Sequence, residues 1–151
     1  MIKVLFLCHG NICRSPMAEY VMQHMVEARH IAHKYHIESA ATSREEIGND
    51  VHYGTKRKLR EVGIACPRRA ARQVTTKDYD EYDYLIVMDD MNIRNLRRII
   101  GSDSEHKVYK LLEFAGSSRD IADPWYTGNF DETYSDIVEG VTALIETIEN
   151  Q

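Results

Sequence analysis

The sequence predicts an α/β domain built on a parallel sheet. Short apolar runs alternate with amphipathic helical patterns along the chain. The first run, at the N-terminus, is apolar without alternation, which is the pattern of a strand buried on both faces. No repeat, low-complexity segment or linker divides the 151 residues, so one domain is expected over 1–151.

The elements follow in order. Ile2 to Cys8 is the buried strand. After a Gly/Asn loop, Ser15-Pro16 opens a helix, with Ser as N-cap and Pro at the first helical position. Met17, Val21, Met25, Ala28 and Ala32 recur at helical spacing and are expected to face the sheet. His36 to Ala41 suits a second short strand. Val51 to Val62 reads as a basic amphipathic helix ending at Gly63. Tyr84 to Met88 is a further buried strand, Met91 to Ile100 a helix stopped by Gly101, and Lys107 to Leu112 a fourth strand. In the last helix Tyr134, Ile137, Val138, Val141, Leu144, Ile145 and Ile148 form one apolar stripe. In parallel sheets of this kind ligands bind beyond the carboxyl ends of the strands. The loop after the first strand is therefore the first place to look for a site.

Composition narrows the class. Apolar residues make up 43% of the chain, as in ordinary globular proteins. A chain of this size buries roughly 70% of its unfolded surface, so it needs no disulfide or metal staple. The net charge of −5 argues against a general nucleic-acid binder. Bases cluster at Lys56, Arg57, Lys58, Arg60, Arg68, Arg69 and Arg72, which reads first as a solvated face and second as a docking patch for an acidic partner. Cys8, Cys13 and Cys66 show no framework spacing and fit reduced cytosolic thiols. The run from Val4 to Cys8 is too short for a signal or membrane-spanning core, and a cytoplasmic location without membrane insertion is expected.

The loop reads Cys8-His9-Gly10-Asn11-Ile12-Cys13-Arg14-Ser15. Gly10 and Asn11 tolerate left-handed backbone angles, so successive N–H groups can turn inward as an anion nest. The helix that follows adds its positive end. Arg14 offers a planar fork for two phosphate oxygens. The same field favours Cys8 as a thiolate held beneath the phosphorus. The Gly-Lys-Ser/Thr of nucleotide-binding P-loops is absent. The competing reading of Cys8 is a buried structural cysteine, which leaves Arg14 and Gly10-Asn11 unexplained.

The stretch Val4 to Glu19, VLFLCHGNICRSPMAE, resembles the signature of the low-molecular-weight protein tyrosine phosphatases. The likeness continues through Ser39-Ala40-Ala41-Thr42-Ser43, Ala71-Arg72-Gln73, Met88-Asp89 with Asn95-Leu96, and Asp123-Pro124-Trp125-Tyr126, covering nearly the whole chain. The resemblance implies a three-layer α/β/α, Rossmann-like domain. It would have a four-stranded parallel sheet, helices on both faces and the phosphate loop after the first strand. It also implies hydrolysis of phosphotyrosine and other aryl phosphates through a cysteinyl-phosphate.

That chemistry needs an acid at the leaving group. Asp123 stands before Pro124, which pushes it out of helical geometry. Trp125 and Tyr126 beside it suit the walls of a slot for a flat substrate. On the residues alone the pair is equally an Asp-Pro turn; the resemblance makes Asp123 the general acid, then the base for the hydrolytic water. It further implies that Asn11 holds the loop by side-chain hydrogen bonds and that Ser15 donates to the Cys8 sulfur. His9, Gly10, Ile12 and Cys13 complete the substrate-binding loop, His9 at its rim. Cys13 would also pair with Cys8 as a reversible disulfide, a role compatible with plain packing. The chemistry needs no metal or other cofactor, and no ligand cluster is evident.

Other residues carry plainer readings. His24, His30, His33 and His36 do not repeat on one helix face and are read as solvated, and Cys66 as an ordinary thiol. Tyr126 and Tyr134 are candidates for regulatory phosphorylation by a cognate tyrosine kinase, or a pocket wall and a core position respectively. Two positions depart from the family pattern. Arg44-Glu45-Glu46 stands where an aromatic wall is usual, and Arg69 where a His is usual. With Glu45 at the rim, aryl phosphates should be turned over while acidic phosphopeptides are poor substrates. Two rivals remain: an arsenate reductase on the same fold, which would want a further cysteine pair, and a non-catalytic phosphotyrosine-binding module, which would leave Cys8 and Asp123 without a use.

Overall fold

A computed structural model of the chain describes residues 1–151. Four strands run parallel: β1 (Ile2–Cys8), β2 (Tyr35–Ala41), β3 (Tyr84–Val87) and β4 (Val108–Lys110). Their order across the sheet is β2-β1-β3-β4. The chain thus leaves β1 towards β2 on one side and later returns to its other side with β3. That reversal opens a crevice at the carboxyl end of β1, where this class of sheet holds its ligands.

The helices are α1 (Arg14–Ala28), α2 (Tyr53–Glu61), α3 (Thr76–Glu81), α4 (Asp90–Ile100), α5 (Pro124–Thr127) and α6 (Phe130–Glu149). They form two layers because β1 is apolar on both faces. Val4, Phe6 and Cys8 pack with Met17, Val21 and Met22 of α1 and Val141, Leu144 and Ile145 of α6. Leu5 and Leu7 pack on the opposite side with Tyr79 of α3 and Leu96 of α4. The expected three-layer α/β/α architecture is the observed one.

Several local expectations change. Helix α1 begins at Arg14, and the N-cap is Cys13 without a side-chain cap bond. Ser15 therefore lies inside the first turn with its hydroxyl turned to Cys8, not at the cap. Pro16 sits third in the helix, where its missing N–H is still among the four that no carbonyl claims. The inward face of α1 is Met17, Ala18, Val21, Met22 and Val26. Ala28 is exposed at its end, and Ala32 belongs to a separate 3₁₀ turn, Ala32–Lys34, reached through His30 at φ 59°. The fourth strand is three residues long because Leu111 turns into a 3₁₀ segment, Leu111–Ala115. Helices α3 and α5 carry no apolar stripe and escaped the periodicity. Capping signals mark both: Thr75 with Asp78 as a capping box, and Asp123 followed by Pro124.

The histidine and basic-stretch readings are also corrected in part. His36 is not free in solvent: its ring bonds Glu38 at 2.5 Å and lies 5.9 Å from the Tyr82 ring. Four of the clustered bases are engaged, Lys56 with Asp50, Lys58 with Asp131, Arg72 with Asp78, and Arg69 with backbone carbonyls.

Helix α6 approaches the 3₁₀ segment after β4 closely enough to require Gly140. A methyl there would lie 2.5 Å from Leu111 Cγ. Gly140→Ala gains about 1 kcal/mol of helix propensity, but overpacking costs about 1–3 kcal/mol. Urea denaturation should therefore show a lower midpoint, and a raised midpoint would refute the need for glycine at this crossing.

Candidate active site

Strand β1 ends at Cys8 and α1 begins at Arg14, so the intervening residues 9–13 must turn over the end of the sheet. Cys8 is 3% exposed, yet it floors a cavity of about 110 Å³. The backbone N–H groups of Asn11 and Ser15 point at its sulfur from 3.3 and 3.4 Å. The Ser15 hydroxyl lies 3.0 Å from the same sulfur. Asn11 Nδ2 already donates to Ser15 Oγ at 2.8 Å, and the nearest other acceptor, the Ala40 carbonyl, is at 3.5 Å. The Ser15 hydroxyl therefore donates its hydrogen bond to the sulfur.

Asn11 shapes the loop. Its φ is 59°, the left-handed region that Asn tolerates. Its amide also donates to Ser39 Oγ at 2.9 Å and accepts from the Arg72 N–H at 3.3 Å. Ser39 in turn donates its hydroxyl hydrogen bond to Glu19 at 2.5 Å. Burial raises the Glu19 pKa, against the Ser39 bond and the charges of Arg69 and Arg72. The Asn11 carbonyl accepts from the Arg69 guanidinium, whose backbone N–H is held by Asp50 at 3.1 Å. Arg69 thus braces the loop from behind. Gly10 is not left-handed, contrary to expectation. A Cβ there would crowd the Glu46 side chain, coming 3.2 Å from its Cγ.

Arg14 is buried beside the sulfur. Its Nη1 bonds Asp89 at 2.7 Å and the Ile121 carbonyl at 2.9 Å, and its Nη2 lies 3.4 Å from Asp123. Burial alone would lower its pKa, but Cys8, Asp123 and Asp89 together outweigh that and raise it. The buried Nε has no partner.

Asp123 N-caps α5 by accepting the Trp125 N–H on Oδ1 at 3.0 Å, while its Oδ2 faces the Arg14 guanidinium at 3.4 Å. The cavity is lined by Cys8, His9, Gly10, Ile12, Cys13, Glu45, Glu46, Asp123, Trp125 and Tyr126. The predicted residues from the loop, the rim and the Asp-Pro segment thus meet, although Arg14 and Asp123 stand 109 residues apart in sequence. At the rim His9 bonds Glu45 at 2.7 Å. Trp125 is 56% exposed and Tyr126 82%, so their rings are available to a ligand. Tyr134 stands away from the cavity, half-buried under Lys58.

Sequence reasoning gave no role to Asp89, Ser39 or His52. Asp89 was legible in principle: an acid just past a buried strand and before a helix is an N-cap at a ligand-binding edge. Ser39 and His52 lie on other elements and become neighbours of the loop only through the tertiary fold. No group of three or more His, Cys, Asp or Glu side chains is arranged to hold a metal ion.

The model of the family "Low molecular weight phosphotyrosine protein phosphatase" matches residues 3–151. Among curated proteins, the low molecular weight protein-tyrosine-phosphatase YfkJ of Bacillus subtilis is 40% identical, over all of this chain and 98% of its own. The low molecular weight protein-tyrosine-phosphatase PtpA of Staphylococcus aureus is 34% identical, over 98% of this chain and 94% of its own. The crystal structure of the Bacillus subtilis YfkJ superposes with a TM-score of 0.95 over 99% of this chain and 96% of that one.

Cys8 and Cys13 differ in environment as well as position. Burial, then the neighbouring Cys8 and Asp123, push the Cys13 thiol up to about 12 from 9.0. It stays protonated across neutral and mildly alkaline pH, and only the thiolate alkylates. Peptide mapping after iodoacetamide at pH 8 should find Cys13 unmodified, and labelling of Cys13 at the rate of an unhindered thiol would contradict its burial.

Proposed function

Since the chain belongs to the low molecular weight phosphotyrosine protein phosphatase family, we propose that Cys8, Arg14 and Asp123 hydrolyse aryl phosphate monoesters in two steps. The observation that carries this assignment is the convergence of three donors on one sulfur: the Asn11 and Ser15 N–H groups and the Ser15 hydroxyl. A packing cysteine has no use for them, whereas an attacking thiolate does.

In the first step the Cys8 sulfur attacks phosphorus in line, and the phosphorus–oxygen bond to the phenol breaks. The inward N–H groups and Arg14 hold the three equatorial oxygens, where charge gathers. The unpartnered Arg14 Nε supplies a donor that no protein group claims. Asp123 gives its proton to the departing phenol oxygen, while Trp125 and Tyr126 flank the aryl ring. In the second step Asp123, now a carboxylate, takes a proton from the water that attacks the cysteinyl-phosphate. The Ser15 hydroxyl stabilises the sulfur as it leaves. Asp89 fixes the guanidinium in position for both steps.

Phosphotyrosine proteins are the proposed substrates, with a cognate tyrosine kinase as their source and exposed Tyr126 as a site that such a kinase could reach. No helix is long and apolar enough to cross a membrane. Three free thiols support action in a reducing compartment, the cytoplasm. The arsenate reductase reading is weaker, because Cys66 is the sole thiol outside the loop to carry away oxidising equivalents.

Hydrolysis of para-nitrophenyl phosphate in the presence of a chelator tests the mechanism. Cys8→Ser should abolish turnover, and Asp123→Ala should lower kcat by about 10²–10⁴-fold on phenyl phosphate. Activity surviving Cys8→Ser would overturn the assignment. Glu45 and Glu46 put two carboxylates on the lip of the cavity. Phosphotyrosine peptides flanked by Lys or Arg should therefore show a higher kcat/KM than peptides flanked by Asp or Glu, and the gap should narrow with added salt. Equal efficiency on the two sets would remove the lip as a selector.

A further inference from the structure

His52 lies outside the loop and outside the Asp-Pro segment, yet it touches what holds both. Its backbone N–H donates to the Ile12 carbonyl of the phosphate loop at 2.8 Å. Its Nδ1 accepts the Gly54 N–H at 3.0 Å, capping α2. That bond requires a bare Nδ1, so the proton of the neutral ring is assigned to Nε2. The ring stacks on Phe130 of α6 with centroids 5.5 Å apart and planes 16° apart. It meets Trp125 edge-on at 5.6 Å and 74°. Trp125 in turn donates its backbone N–H to Asp123. Phe130 packs tightly on the first turn of α2, since a Cβ on Gly54 would come within 2.3 Å of its ring.

We propose that His52 is a positioning residue, which fixes the acid-bearing helix α5 relative to the phosphate loop through its aromatic contact with Trp125. The ring is held by its stacks on Phe130 and on Tyr53, the latter with centroids 4.4 Å apart, and by its cap to Gly54, and so offers Trp125 a fixed aromatic partner. Short α5 has four residues and little packing of its own, with Trp125 and Tyr126 both exposed. Without such a stop the helix and its cap can tilt, and Asp123 loses its aim at the leaving oxygen while Cys8 and Arg14 stay in place. Burial lowers the pKa of the imidazole, against the opposing charges of Asp123 and Glu46, which keeps the clamped neutral form in use.

The inference rests on Asp123 acting as the general acid, and a leaving-group comparison separates the two. A misplaced acid harms a poor leaving group more than a good one, because a stable phenolate departs with little protonation. kcat/KM reports the step in which that bond breaks. His52→Asn keeps a capping acceptor and removes the ring. It should lower kcat/KM by about tenfold on phenyl phosphate and by less than about twofold on para-nitrophenyl phosphate, with inhibition by inorganic phosphate unchanged. His52→Phe keeps the aromatic edge and should retain most of the phenyl phosphate activity despite losing the cap. If His52→Asn does not fold, Phe130→Leu, outside the cavity, removes the ring on which His52 stacks and should give the same selective loss. Equal losses on both substrates, no loss, or a His52→Phe variant as impaired as His52→Asn would overturn the proposal. Asp123→Ala serves as the reference: if it shows no leaving-group dependence, the general-acid assignment itself fails, whatever His52 does.

Discussion

The site depends on one residue held in an unfavourable backbone conformation. Asn11 turns left-handed, which costs a non-glycine residue roughly 1–2 kcal/mol. Glycine would adopt the turn more easily but would leave it unfixed. The Asn side chain ties the turn to Ser15, Ser39 and the Arg72 backbone, while Arg69 holds its carbonyl. With that turn locked, the Asn11 N–H faces the sulfur and the loop delivers the chain to α1 in register for the Ser15 N–H to do the same. The strain is local, and the network that offsets it spans α1, β2 and the segment before α3.

Charge is balanced around this turn rather than simply accumulated. Arg14 is almost wholly buried and would be costly alone. Asp89 and the Ile121 carbonyl hold one nitrogen, and Asp123 approaches another. The guanidinium therefore keeps its charge without surrendering every donor. Asp89 caps α4 and binds Arg14 with the same carboxylate: its Oδ1 takes the Asn92 N–H and its Oδ2 the guanidinium. One side chain just past a strand starts a helix and orients the Arg14 guanidinium.

Much of this was legible in the sequence, and for identifiable reasons. The continuous apolar run of β1 announces a two-sided burial, and the stripe of α6 announces one face of a layer. Gly, Asn, Arg and a helix carrying Pro in its first turn, all placed after a buried strand, describe an anion loop by themselves. Short elements were not legible: α3 and α5 have too few residues to show a period, and only their caps betray them. Side-chain partners brought from distant segments were the other gap. Ser15 looks like a cap from its neighbours, but tertiary contact with Cys8 claims its hydroxyl. Gly10 looks like a left-handed turn residue, but its φ is not positive, and a Cβ there would crowd Glu46, which only the fold brings near. His52 has an ordinary local sequence and acquires its contacts only when α2, α5 and α6 are assembled.

The pairing of Arg14 with Asp123 joins points 109 residues apart. Strand β1 is also central in the sheet, with its partner β3 supplied from residues 84–87. During synthesis the loop of residues 9–13 is therefore made long before Asp123 and helix α6 leave the ribosome. A nascent chain carries the cysteine without the cavity, the counter-charges or the proton donor. Under the proposed mechanism the wide separation of these parts acts as a timer: reactivity toward phosphate esters would arrive only with the completed domain, and a chain cut short before Asp123 would carry a thiol with no acid to serve it.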